Sequence, residues 1–130
     1  MGAQPPKTHE CHVSKPYKRL IESGEKDVEG RLRKGVFAVI NSGDRLVIRG
    51  DDDDGEPIEA TVVAVRQYPT FKRYLEAEGL RRTLPGVETI AEGVKVYRRF
   101  YSRAKEVEYG VAAVEIEVLR RKGPLRKRRA

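Results

Sequence analysis

At 130 residues, the chain supplies one domain with one core and is too short for two ordinary ones. Hydrophobic residues make up 38% and charged residues 36%, and no apolar run is long enough for a membrane-spanning helix. The single cysteine, Cys11, excludes an internal disulfide, and Met1 to Pro6 lacks the basic and apolar parts of a secretory signal, so an intracellular, cytoplasmic location is expected.

The formal net charge of +7 looks like a nucleic-acid signature until its distribution is read. Residues 120–130 hold Arg120, Arg121, Lys122, Arg126, Lys127, Arg128 and Arg129 with no acid. Taking these seven from the 27 basic residues leaves 20, matched by 20 acidic ones, so residues 1–119 are neutral overall. Long-range attraction to phosphate belongs to this C-terminal tail.

Residues 1–8 read as a disordered N-terminus. His9 to Val13 reads as a short strand, and Lys15 to Ser23 as a helix with Tyr17, Leu20 and Ile21 at helical spacing. Ser14 is its expected N-cap, Pro16 fits the first turn, and Gly24 stops it. Lys26 to Leu32 alternates with period two, which puts Lys26, Val28, Gly30 and Leu32 on one face and Asp27, Glu29 and Arg31 on the other. Residues 33–43 read as a connector, Arg45 to Arg49 as a strand, Asp51 to Gly55 as an acidic turn, and Ile58 to Tyr68 as another strand.

After Pro69 the pattern turns helical. Thr70 is an expected N-cap ahead of the stripe Phe71, Tyr74 and Leu75, with Gly79 as the stop. Thr89 to Tyr101 carries Ile90, Val94, Val96, Tyr97, Phe100 and Tyr101, read as a helix face packed on the sheet, and Ser102 caps one further short turn. Val111 to Leu119 is the strongest strand, half buried with Glu115 and Glu117 facing out. Short strands around an inserted helical segment predict an α+β chain: a small, mixed, mostly antiparallel β-barrel with flanking helices over residues 9–119.

Gly24-Glu25-Lys26-Asp27-Val28-Glu29-Gly30-Arg31 carries the pattern G-x-K-x-x-E-x-R, which resembles the signature of ASCH domains. Asn41-Ser42-Gly43-Asp44-Arg45-Leu46 resembles the family's "GD-I" strand start, and Tyr68 to Leu80 resembles the helix after its central strand. Leu84-Pro85-Gly86, Glu92 to Ser102 and Tyr109-Gly110-Val111 continue the likeness, which spans residues 9–119. The resemblance implies a PUA-like barrel whose signature residues sit in a cleft between barrel and helices, and a connection with RNA. Some bacterial members hydrolyse the acetyl amide of acetylcytidine, and others have been proposed to cut RNA.

On that basis Lys26, Glu29 and Arg31 are the expected site. Lysine can hold a phosphate, or act as a base when desolvated. Arginine offers a planar fork to phosphate or a base edge, and glutamate accepts from a base amino group. Glu78 aligns with a glutamate that the amidohydrolase members use beside the lysine. Those members have a nucleophilic threonine where this chain has Glu29, a departure that argues against the same covalent route and leaves Glu29 as an activator of water in a hydrolase reading. Tyr17 and Tyr68 are the expected base-stacking residues, and Arg126, Lys127, Arg128 and Arg129 the expected phosphate contacts, with nuclear import as another use of the same tail. His9 and Cys11 share a strand face that His12 does not, and no second ligand pair follows, so neither a metal nor a cofactor is expected. The functional expectation is a monomeric RNA- or nucleotide-binding domain. The alternatives are a hydrolase of acetylcytidine-like nucleosides or RNA, using Lys26, Glu29 and Glu78, and a subunit of a ribonucleoprotein particle.

Overall fold

The computed structural model describes residues 5–51 and 55–119. In chain order these form β1 (Thr8–Val13), α1 (Lys15–Ser23), β2 (Val28–Leu32), α2 (Val36–Val39), β3 (Arg45–Gly50), β4 (Ile58–Tyr68), α3 (Phe71–Glu78), α4 (Leu80–Thr83), α5 (Ile90–Arg98), α6 (Arg103–Tyr109) and β5 (Val111–Val118). One sheet runs β1-β3-β4-β5-β2; β1 pairs with β3 in parallel and every other neighbour is antiparallel. The sheet curls into a half-barrel, giving the mixed α+β, PUA-like architecture expected from the sequence. Its two edges are β1 and β2, the strands that flank α1.

Local chemistry accounts for most boundaries. The hydroxyls of Thr70, Thr89 and Ser102 accept from the backbone N–H three residues on, each at 3.1 Å, so each starts a helix as an N-cap. Ser14 occupies the N-cap of α1 but makes no capping bond; Pro16 in the first turn and Gly24, at φ 87°, mark the two ends instead.

Four boundaries differ from the sequence reading. The first strand starts at Thr8, and Lys7 is already paired through its N–H to Asp44 Oδ1 at 3.0 Å. The connector at 33–43 contains α2, too short to show a helical period. The helix predicted to reach Tyr101 ends at Arg98, and the short turn after Ser102 is the seven-residue α6.

Two apolar cores lie on opposite faces of the sheet. Ala112, Val114 and Ile116 of β5 point into the concave core with Cys11, Ile21, Phe37, Leu46, Ile48 and Val62. Val111 and Ala113 point the other way, into a core with Val28, Leu32, Phe71, Tyr74, Leu75 and Tyr97 from β2 and the helices. The first half of β5 is therefore buried on both faces rather than one, because helices cover the side expected to face solvent. Glu115 is not simply turned outward either: it receives Arg66 at 3.0 Å and Arg82 at 3.1 Å.

Small residues let the helices sit close to β2. Gly30 pairs with Ala113, and Tyr74 lies directly against Gly30. Tyr74 is fully buried and held by the Tyr97 hydroxyl at 3.2 Å, so β2 rests on an aromatic bed that fixes where its concave-side residues point.

Candidate functional site

A cleft of about 220 Å³ opens between β1, β2, the start of α1 and the α5–α6 turn. Its floor is ionic and its walls are aromatic. Lys26, Glu29 and Arg31 form the floor; Tyr17, Tyr97, Phe100 and Tyr101 line the sides, with His12 and Asp51 at the mouth.

Glu29 is the hub. Its Oε2 accepts from Arg31 Nε at 2.6 Å, and its Oε1 faces Lys26 Nζ at 3.5 Å. Strand alternation predicts Lys26 on the opposite face from Glu29. The strand, however, begins only at Val28, so Lys26 precedes the pleat and its ammonium swings under Glu29. That ammonium is 3% exposed and also donates to the carbonyls of Val28, at 2.9 Å, and Thr83. Its three N–H groups are thereby engaged.

Arg31 has a second task. While Nε holds Glu29, Nη2 donates to the carbonyl of His12 on β1. The guanidinium, 5.0 Å from the centre of the Phe37 ring, thus bridges the two edge strands of the half-barrel. Nη1 has no hydrogen bond to a described residue.

Electrostatics follow from this packing. Burial pushes the Lys26 ammonium below its ordinary pKa, and the Glu29 charge restores only part of the loss. Burial alone would raise the Glu29 carboxyl, but Lys26 and Arg31 overcome it and hold Glu29 ionised, below the usual carboxylate range. Desolvation, reinforced by the Glu29 charge, raises Tyr17 and Tyr97, so both stay protonated. The Cys11 thiol, buried behind the floor, is pushed up to about 12, which leaves it an inert thiol.

The aromatic wall is built from the core outward. Phe71 is fully buried and stacks on Tyr97 at 4.4 Å and on Tyr101 at 5.4 Å, both planes within 10°. Tyr101 is therefore braced by the core, while Phe100 beside it is 68% exposed.

Of the residues expected from the sequence, Lys26, Glu29, Arg31 and Tyr17 come together here. Glu78 and Tyr68 do not line the cleft. The Glu78 carboxylate is clamped by Arg66 through bonds of 2.7 and 2.8 Å and accepts from the Tyr68 hydroxyl at 2.6 Å. These two site candidates form a separate ion-paired cluster with Glu115 and Arg82, on the other side of the sheet from the concave core. Arg126, Lys127, Arg128 and Arg129 lie outside the described residues. The sequence reading missed Phe100 and Tyr101 as cleft walls. The signal was present: Phe100 sits off the stripe set by Ile90, Val94 and Tyr97, where an apolar side chain has no core to enter. His9, read only as an unpromising ligand, donates or accepts at 2.9 Å with Asp44 Oδ2 and braces the turn before β3.

Comparison with known proteins agrees with this architecture. The family model "ASCH domain" matches residues 12–120. The crystal structure of the hypothetical protein PH0355 is 41% identical, with a TM-score of 0.79, and the match covers 87% of this chain and 99% of that one. The solution structure of protein PF0455 from Pyrococcus furiosus is 40% identical, with a TM-score of 0.70 over 86% of this chain and 97% of that one. A mutant of ZmASCH from Zymomonas mobilis shares the fold at 17% identity and a TM-score of 0.59, covering 85% of this chain and 67% of that one. No curated protein sequence matches. With the family match running over nearly all of the described body, and with the signature lysine, glutamate and arginine gathered in one cleft, the chain belongs to the ASCH domain family, which is commonly associated with RNA binding.

Proposed function

We propose that the protein binds single-stranded RNA by taking one unpaired base, or a free nucleotide, into this cleft, and that the basic tail contacts neighbouring phosphates. The observation that carries this reading is the pairing of an ionic floor with aromatic walls. A nucleobase has two apolar faces and a polar edge, so it alone among common ligands uses both features at once. Phe100, exposed at the rim, offers a stacking platform, and Glu29 and Arg31 offer hydrogen-bonding groups to the edge. The volume of about 220 Å³ suits one base, being smaller than the roughly 300–1,000 Å³ typical of drug-sized sites.

Phosphate is less suited to the floor. Lys26 already spends its donors on Val28, Thr83 and Glu29, and the ionised Glu29 repels an anion. Phosphate contacts therefore fall to the tail, whose cations Arg126, Lys127, Arg128 and Arg129 carry no neighbouring acid. Hydrolysis has less support than binding, because Glu78 is held by Arg66 and Tyr68 away from Lys26.

Titration of short single-stranded RNA against the full chain and a chain ending at Leu119 tests the reading. The full chain should bind with affinity falling steeply as salt rises, and the shortened chain should bind more weakly with a flatter salt slope. Absence of RNA binding by either chain would sink the proposal. Equal salt slopes would remove the tail from it.

A further inference from the structure

We infer that the cleft selects guanine, recognising its Watson–Crick edge with Arg31 as donor and the two oxygens of Glu29 as acceptors. This rests on the base-binding reading above and adds the identity of the base.

The inference comes from counting what the floor has left to give. Lys26 has no donor to spare. Each Glu29 oxygen has one protein partner, Arg31 on Oε2 and Lys26 on Oε1, which leaves about half of the roughly four acceptor sites of an ionised carboxylate unused. Arg31 has spent Nε and Nη2 and retains Nη1. The cleft therefore presents one donor beside two acceptors, in a rigid arrangement.

Guanine presents the complement: an acceptor at O6, then two adjacent donors at N1–H and N2–H. Adenine and cytosine each put one amino donor beside a ring-nitrogen acceptor, and that acceptor would face a Glu29 oxygen. Uracil has one N–H between two acceptors and would point a carbonyl at the carboxylate. A buried acceptor forced against another acceptor costs more than a bond merely absent, so the mismatch works by exclusion as much as by attraction. The rigidity of the pair matters too. Glu29 is 7% exposed and Arg31 is tied to the His12 carbonyl, so neither can turn to suit another base without breaking a bond.

The test uses the full chain and short oligouridines carrying one central guanosine, inosine, adenosine or cytidine, with binding read by fluorescence anisotropy. The guanosine probe should bind roughly 5- to 150-fold more tightly than the adenosine and cytidine probes. Inosine lacks only the 2-amino group and should lose about tenfold relative to guanosine. In Glu29→Gln, which replaces one acceptor by a donor, the guanosine advantage should vanish; the guanosine–inosine comparison on the unaltered chain stands even if that variant fails to fold. RNA binding with equal affinity for guanosine and inosine overturns the guanine assignment and leaves base binding intact. Failure of every probe to bind overturns both.

Discussion

Gly30→Ala is the substitution with the clearest expected cost. The residue lies between Glu29 and Arg31, and its pro-side-chain direction faces the helices rather than the cleft. A Cβ built there would sit 2.6 Å from Tyr74 Cε2 and closer still to Cζ and the hydroxyl, distances that real contacts do not show. Tyr74 cannot retreat: it is fully buried, meets Phe71 edge-on at 6.2 Å and Tyr97 at 5.7 Å, and shares a hydrogen bond with Tyr97. Overpacking of a filled core costs about 1–3 kcal/mol, and this site belongs at the upper end because ring and backbone are both fixed. The unfolded chain loses some freedom in the exchange, which offsets about 0.4–1 kcal/mol. The net loss of about 1–2 kcal/mol corresponds to a melting temperature lower by roughly 5–10 °C for a chain of this size. Thermal unfolding followed by circular dichroism measures it, and Tyr74→Leu in the Gly30→Ala background should recover part of the loss by making room. A Gly30→Ala protein that melts within a degree of the original would refute the close packing of β2 on the aromatic bed.

Three further outcomes follow from the same geometry. Phe100→Ala should weaken RNA binding by about 1–3 kcal/mol while shifting stability by less than ~0.5 kcal/mol, since the ring is exposed; a titration and a melt on one sample check both. Lys26→Met removes a buried partner of Glu29 and leaves the Thr83 and Val28 carbonyls without their donor, so denaturant unfolding should show a loss of roughly 2–3 kcal/mol, less than for a wholly unpaired charge because Arg31 remains. The Glu78 carboxyl is held low chiefly by its hydrogen bonds from Arg66, against the opposing effect of burial. A carboxyl with a depressed folded-state pKa contributes stability that is present above the unfolded value of about 4.3 and lost as pH falls through the folded one. Melting temperature against pH should therefore fall less steeply below that point in Glu78→Gln, and parallel curves for the two proteins would contradict the clamp.

Much of the fold was legible because local rules act at single residues. Thr70, Thr89 and Ser102 announce their helices as caps, Gly24 ends one, and period-two alternation marks β3 and β4. What the sequence does not carry is which side of a strand another element will cover. Alternation in β5 reads as one wet face, yet helices α3 and α5 bury it, and Glu115 finds two arginines from other elements. The same limit applies to the site. Glu29 and Arg31 are two apart on one strand and meet as alternation requires, whereas Lys26 joins them only because the strand starts two residues later than its pattern. Glu78 stands in line with a functional position of related proteins, but its surroundings depend on Arg66, twelve residues earlier on another element, and no local pattern reports that pairing. Phe100 was visible as an apolar residue off its helix stripe, and its place on the cleft wall depends on the stack that runs from Phe71 through Tyr101.

The most direct measurement of base binding in this cleft is a titration of isotope-labelled full-length protein with short single-stranded RNA, following backbone amide shifts by NMR. Occupation of the cleft should move the amides of Glu29, Gly30, Arg31, Phe100 and Tyr101 together, with one common affinity, and leave those around Glu78 in place. Shifts confined to residues 120–130, with the cleft amides unmoved at saturation, would contradict it.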